Sequence, residues 1–406
     1  MNVQHSIRFS PDHPPEFFAQ FPAAPAVFLL RGADENAEPY VSKTASLRRR
    51  LQRLLAPPES RPSPAKKAGL GAPQSKRLNL RERVATIEYT LTGSDFESAL
   101  LLYRILRREF PRTYQKRLRL HPAPLIKLNL ENEYPRAYVT TKLGRLTGRS
   151  IFYGPFRSRA VAEKFMNDSL DLFKMRRCTF DLNPDPKFPG CVYSEMKMCL
   201  APCFKGCTDE AYAAEVARVQ AYFDSGGESL LQEMEAERDR LSAALDFEAA
   251  AQQHAKIAKA KGILSLGDEI CRRLDQLDAV VVQPSIEKNS VALFRFHKGE
   301  LAGPEAFVVE AEGESESLEH RLRSHLEQFV PAGARSALQF TEELAMLKRW
   351  YYRSHKAGEI VLARDDGELP MRKLANAVSR VHKGEKNLDT ATHLKEREEA
   401  ASTPPS

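Results

Sequence analysis

Five of the chain's six cysteines crowd into thirty residues: Cys178, twelve residues, Cys191, seven more, Cys199-Leu-Ala-Pro-Cys203, and after three more, Cys207. In a reducing compartment, cysteines this dense serve as metal or cluster ligands rather than as a disulfide framework. Four thiolates suffice for a tetrahedral Zn²⁺ or an iron–sulfur cluster, and no histidine lies in the stretch to make a mixed site. The spacing is not the paired Cys-x-x-Cys of a zinc ribbon. That favours a cluster or a cysteine-only metal knot, with Pro189, Gly190 and Pro202 turning the backbone. The bland alternative is a set of small, inert, buried thiols.

A second chemistry lies in the distribution of charge. The 406 residues carry 61 Lys and Arg against 54 Asp and Glu, a modest net charge of +7. From Tyr40 to Leu55, however, there are five basic residues and no acid, and from Arg104 to Arg119 seven basic residues and one acid. Such local excess suits a polyanion, and no apolar run approaches the ~18 residues of a membrane span. With no charged region and apolar core at Met1-Asn-Val-Gln-His5, the expected setting is cytoplasmic, with no membrane partner.

These residues need positioning elements. A chain of this length makes several domains, and the expected class is multidomain α+β. Residues 1–24 read as a lead-in whose Phe17, Phe18 and Phe21 cover the first domain, placed at 25–118. Pro25–Gly32 and Pro39–Lys43 read as a hairpin. Ser46 is the expected N-cap of a helix over Leu47–Leu55, in which Leu47, Leu51, Leu54 and Leu55 share one face and Arg49, Arg50 and Arg53 point elsewhere. Residues 56–76, rich in Pro, Ser, Gly and Lys, read as a flexible insertion. A strand at Arg83–Leu91 and a helix at Phe96–Arg108 complete the domain.

The region 119–224 holds strands at Pro124–Leu130 and Arg136–Thr141, a turn at Tyr153-Gly-Pro-Phe156, and a helix from Ser158 to Met175 that delivers Cys178. Asp209–Asp224 is helical. Residues 227–266 read as a helical stretch bent at Leu245-Asp246-Phe247, with Asp246 capping the second arm and Glu248 in its first turn. Its two arms suit an antiparallel hairpin or a plain helical linker. Residues 277–381 form a small α/β unit with a meander from Asp278, and 383–406 read as a disordered tail.

In this order the motifs resemble the N-terminal two-thirds of the UvrC excinuclease family of bacterial nucleotide excision repair. Pro25-Ala-Val-Phe28, Tyr40-Val-Ser-Lys43 and Leu47-Arg-Arg-Arg50 resemble its GIY-YIG nuclease motif, and Ala99-Leu-Leu-Leu102 its helix. Tyr153-Gly-Pro-Phe156 resembles its Gly-Pro turn, and Leu245-Asp-Phe-Glu-Ala-Ala250 its UVR hairpin. The resemblance implies a GIY-YIG-like domain and a 4Fe-4S cluster on Cys178, Cys191, Cys199 and Cys203, with zinc as the alternative. It also implies a UvrB-like partner bound through Leu245, Asp246 and Phe247, and a 277–381 unit like the leading part of the family's RNase H-like region. That region's nuclease core and the helix-hairpin-helix motifs are expected to be absent, with Cys207 and Cys271 left as ordinary thiols.

The same resemblance exposes departures. The family's nuclease holds a divalent ion on one glutamate, with tyrosines and an arginine around the scissile phosphate. This chain keeps Tyr40, Lys43 and Arg50. Phe28 stands in place of the first tyrosine, Ser42 of the glycine, Leu54 of a further tyrosine, Tyr103 of the glutamate and Gln115 of the following asparagine. A neutral phenol does not replace a carboxylate on Mg²⁺, and Glu97, six residues before Tyr103, lies about 600° of helix away.

The expectation is therefore a DNA-binding repair protein that has lost incision. Arg49, Arg53, Arg107, Arg108, Arg112, Lys116 and Arg117 are its candidate phosphate contacts, and Tyr114 and Tyr153 its candidate base stackers. The alternatives are a divergent, active Mg²⁺-dependent GIY-YIG endonuclease making a single-strand incision, and a non-catalytic interaction module.

Overall fold

The computed structural model describes residues 3–34, 36–57, 80–143, 149–180, 182–297, 300–310, 316–329, 336–364 and 366–385. Residues 58–76 of the expected insertion and nearly all of the expected tail lie outside them. Among the described residues the chain is α+β, with three antiparallel four-stranded sheets.

The first sheet is built from β1 (His5–Arg8), β2 (Ala26–Arg31), β3 (Tyr40–Thr44) and β4 (Thr86–Leu91), in the order β1-β4-β2-β3. Strand β2 is buried on both sides because its alternate residues serve two cores. Ala26, Phe28 and Leu30 pack with Leu47, Leu51, Leu54 and Leu55 of helix α1 (Leu47–Leu55). Val27 and Leu29 pack with Leu101 and Ile105 of α2 (Asp95–Glu109). Phe18 and Phe21 close the α1 side as expected. Residues 1–24 also supply β1, which pairs along β4. Ser46 sits at the α1 N-cap, but its side chain makes no capping bond. A short helix, α3 (Tyr114–Leu118), follows α2.

The second sheet takes β5 (Leu125–Asn129), β6 (Arg136–Thr140) and β7 (Ser150–Gly154), and is followed by α4 (Arg159–Leu170). The helix expected to reach Met175 ends at Leu170. Phe173 folds back in a turn, its N–H on the Leu170 carbonyl at 3.1 Å, so the apolar residues that extended the helical pattern are buried by a turn. The cysteine segment holds the one-turn helix α5 (Val192–Glu195) and ends at α6 (Asp209–Asp224).

Next come α7 (Glu228–Ala243) and α8 (Phe247–Leu264), two helices packed as a hairpin. The Met234 carbonyl accepts from Gln253 at 3.3 Å, and Glu235 pairs with Lys261 at 3.1 Å. Asp246 caps α8, its Oδ1 accepting the Ala249 N–H at 3.1 Å. Strand β8 (Arg272–Arg273) then returns to pair with β7, so the second sheet is completed by residues beyond the hairpin.

The third sheet has the order β11-β10-β9-β12, with β9 (Asp278–Pro284), β10 (Ser290–His297), β11 (Glu300–Val308) and β12 (Glu359–Leu362). Val280, Val282, Val291 and Leu293 face α9 (Leu318–Gln328) and α11 (Met371–Lys383). Ala279, Val281, Phe294 and Phe296 face the other way, toward α10 (Ala337–Tyr351). There they share one core with Phe96, Leu100, Tyr103 and Leu106 of α2. The expected break between 25–118 and 277–381 is therefore no break in packing: α2 carries the first sheet on one side and the third unit on the other. At the seam, a Cβ on Gly93 would come within 2.2 Å of the Pro284 carbonyl oxygen, which is why glycine stands there.

Candidate nucleic-acid interface

Tyr40 and Arg50 come together in the structure. On the α1 side of the first sheet, Arg50 Nη2 donates to Tyr40 Oη at 2.8 Å, and the Phe28 ring stands 6.1 Å from that of Tyr40. Arg50 Nε is buried without a hydrogen-bond partner among the described residues. Lys43 is separated from this pair. It aligns with Val27 across the β2–β3 ladder, on the α2 face, where its ammonium meets Asp95 at the start of α2. The pleat of β3 thus divides the three retained motif residues.

Tyr103 also lies away from Tyr40 and Arg50. Its side chain, 1% exposed, donates to Glu342 Oε2 of α10 at 2.9 Å. Gln115 Nε2 donates to Glu342 Oε1 at 2.8 Å, and Tyr114 Oη donates to the same oxygen at 2.9 Å. The two positions at which the nuclease motif implies a glutamate and an asparagine are therefore both spent on one buried carboxylate of the third unit. Burial, and then the charge of Glu342, push the Tyr103 and Tyr114 phenols above their ordinary range, so both stay protonated as donors.

Tyr114 and Tyr153, expected to stack on bases, have no face open to a base. Both are buried, and Tyr153 donates to Asp224 Oδ1 at 2.8 Å. The rings serve cores and their hydroxyls satisfy carboxylates.

The expected cations form two sets on opposite sides of the first sheet. Arg49 and Arg53 are exposed on α1, with no ion pair among the described residues. Beyond the other face, Arg112 and Lys116 are likewise exposed and unpaired among the described residues. Arg107 reaches Tyr103 Oη at 3.5 Å, Arg108 pairs with Glu109, and Arg117 pairs with Glu38 while stacking 3.8 Å from the Phe110 centroid. Asp95 is a junction that sequence reasoning missed, binding Lys43 and also Arg353 from beyond α10. Burial raises its pKa, but the two cations outweigh this and hold it below the ordinary carboxylate range.

The four expected cluster cysteines lie close enough that charge on Cys178, Cys203 and Cys191 adds to burial in pushing Cys199 up to about 11. Two of the sulfurs meet an N–H donor: Arg176 Nη1 at 3.4 Å from Cys178 and Ala201 N at 3.3 Å from Cys199. Arg176 is 1% exposed and has no carboxylate partner among the described residues, its other bonds going to the Tyr134 and Phe180 carbonyls. A buried cation of this kind calls for a nearby anion, and thiolates would supply it. The donor set thus fits a thiolate-held group, although no three His, Cys, Asp or Glu among the described residues converge on a single-ion position. Arg176, two residues before Cys178, was the signal that the cysteine spacing alone hid.

At the hairpin tip Leu245 and Phe247 are 72% and 65% exposed. Asp278 accepts from His297 Nδ1 at 2.7 Å and lies 3.3 Å from Arg295. No helix among the described residues is long and apolar enough to cross a membrane.

Similar proteins are known for most of the chain's length. Residues 123–222 match the UvrC/Cho excinuclease middle domain. The chain is 26% identical over 294 residues to a UvrABC system protein C of Dehalococcoides mccartyi, covering 72% of this chain and 46% of that one. It is 26% identical to that of Moorella thermoacetica (92% and 54%), and 23% identical to that of Xanthomonas campestris pv. campestris (87% and 57%). The chain spans about half the length of the curated relatives it matches. No solved structure matches it. With the middle domain of that family at its centre and the relatives aligned along most of its length, the chain is a UvrC-like protein.

Proposed function

We propose that this protein acts in nucleotide excision repair as a DNA-binding, UvrC-like component that joins a UvrB-like protein through the α7–α8 hairpin and makes no incision of its own. The observation that carries the reading is the use of Tyr103 and Gln115 as donors to Glu342. Phosphodiester cleavage of the motif's kind needs a carboxylate-held Mg²⁺ beside the tyrosine and arginine. Here the position implied for that carboxylate carries a protonated phenol committed to the third unit. Tyr40 and Arg50 remain as a phenol and a guanidinium able to hold a phosphate by hydrogen bond and charge.

Cys178, Cys191, Cys199 and Cys203 are proposed to hold a 4Fe-4S cluster, supported by the N–H donors on the Cys178 and Cys199 sulfurs and by the buried Arg176. When bound, the cluster supplies a covalent tie between the exit of α4 and the approach to α6. Arg176 balances its negative charge and fixes the Cys178 sulfur.

The test is an electrophoretic shift with a lesion-bearing duplex, with and without a UvrB-like protein. A shifted complex that the partner strengthens, and that Phe247→Ala returns to the partner-free level, supports the reading. No shift under either condition refutes it.

A further inference from the structure

Between the first and third units lies a cleft of about 110 Å³, bounded by Lys43, Asp95, Arg117, Arg349 and Arg353 above a floor of Phe96 and Trp350. This is several times the roughly 30 Å³ share of one water. Arg117 is paired with Glu38, which leaves three cations, Lys43, Arg349 and Arg353, to one carboxylate. Asp95 binds both Lys43 and Arg353, so a single anionic group already bridges cations from the two units. Arg349 is exposed and makes no hydrogen bond or ion pair among the described residues. The imbalance leaves the cleft positive with its anion in place, and Arg349 commands no partner among those residues.

We propose that this cleft seats a phosphate of a DNA backbone, with Lys43, Arg349 and Arg353 as donors, and that the Asp95 carboxylate stands in for the phosphate while DNA is absent. The inference deepens the DNA-binding reading above by assigning the contact to the seam between two units rather than to either helix face alone. A carboxylate and a phosphate offer the same fork of acceptor oxygens to a guanidinium. Exchanging one for the other keeps Lys43 and Arg353 paired and brings in Arg349. Asp95 swings into solvent, its side chain already half exposed.

The experiment is fluorescence anisotropy of a labelled, lesion-free duplex with the full chain across a salt series. Arg349→Ala combined with Arg353→Ala is expected to weaken binding about tenfold or more at 0.1 M salt and to reduce the log–log salt slope by roughly two. Arg349→Glu, at an exposed and unpaired position, is expected to weaken it further than Arg349→Ala with no change in melting temperature. Asp95→Asn is expected to tighten binding severalfold.

Wild-type affinity and slope in the double variant overturn the assignment while leaving DNA binding itself intact. Failure of the wild type to bind any duplex removes the DNA reading and this inference together. Unchanged or weaker binding by Asp95→Asn overturns the stand-in role. Inorganic phosphate is the last arm: displacement of the duplex beyond that by chloride at equal ionic strength, and lost in the double variant, supports a backbone seat, whereas phosphate that binds the protein without displacing the duplex assigns the cleft to the free anion instead.

Discussion

The hydroxyl of Tyr103 donates to Glu342 across 2.9 Å, a bond between residues 239 positions apart that pins α2 of the first unit to α10 of the third. Removing one partner of a buried, charge-assisted hydrogen bond costs about 1–3 kcal/mol. Tyr103→Phe is accordingly expected to lower the denaturation midpoint by a few degrees. Glu342→Ala, which strips Tyr103, Tyr114 and Gln115 of their common acceptor, is expected to lower it further. Calorimetry on the two variants checks the order.

The same bond sets a pH dependence. Burial, then Glu342, raise the folded pKa of Tyr103 above its ordinary 10.0. A group whose folded pKa is raised contributes stability that is complete below its unfolded value and is lost as pH rises through the folded one. Stability is therefore expected to decline as pH climbs beyond about 10. Tyr103→Phe is expected to make that decline shallower, read as midpoint against pH.

Gly93 marks the seam between the units. A methyl group there meets the Pro284 carbonyl oxygen and the Ser285 backbone, at 2.2 and 2.6 Å. Since backbone must move to admit it, Gly93→Ala is expected to cost about 1–3 kcal/mol and to expose the seam to limited proteolysis. Unchanged stability would show that the two units are not held at this approach.

Much of this architecture was legible in local pattern. The leucines of α1 share one face because they recur at helical spacing, and all four are buried. Asp246 was readable as a cap from its place before an acidic first turn, and it caps. The strand at His5–Arg8 was not legible, since an edge strand with an exposed pattern carries no apolar alternation. The role of Glu342 was hidden for a different reason: a partner more than two hundred residues away leaves no periodic trace, and only packing reveals that Tyr103 and Gln115 converge on it. The cationic residues were read together as candidate phosphate contacts, whereas a sheet that buries β2 on both sides separates α1 from α2.

The hairpin tip separates binding from folding. Phe247 is largely exposed, so Phe247→Ala is expected to move stability by less than about 0.5 kcal/mol while weakening association with a UvrB-like partner. Leu245 holds φ +60°. Leu245→Gly relieves that strain and is expected to leave the fold at least as stable. Pull-down and melting temperature on each variant test this.

Anaerobically purified protein is expected to show the visible absorbance of thiolate-bound iron. Cys199→Ser is expected to abolish it. Arg176→Met, which removes the buried cation beside Cys178, is expected to shift the cluster's reduction potential to more negative values, because a nearby positive charge favours the reduced form. Protein that carries zinc and no iron would refute the cluster assignment.

Strand scission on a denaturing gel tests the central claim most directly. A lesion-bearing duplex is incubated with this protein and a UvrB-like partner in Mg²⁺ or Mn²⁺. The account predicts a bound duplex with both strands intact. Cleavage that Arg50→Ala abolishes would contradict it.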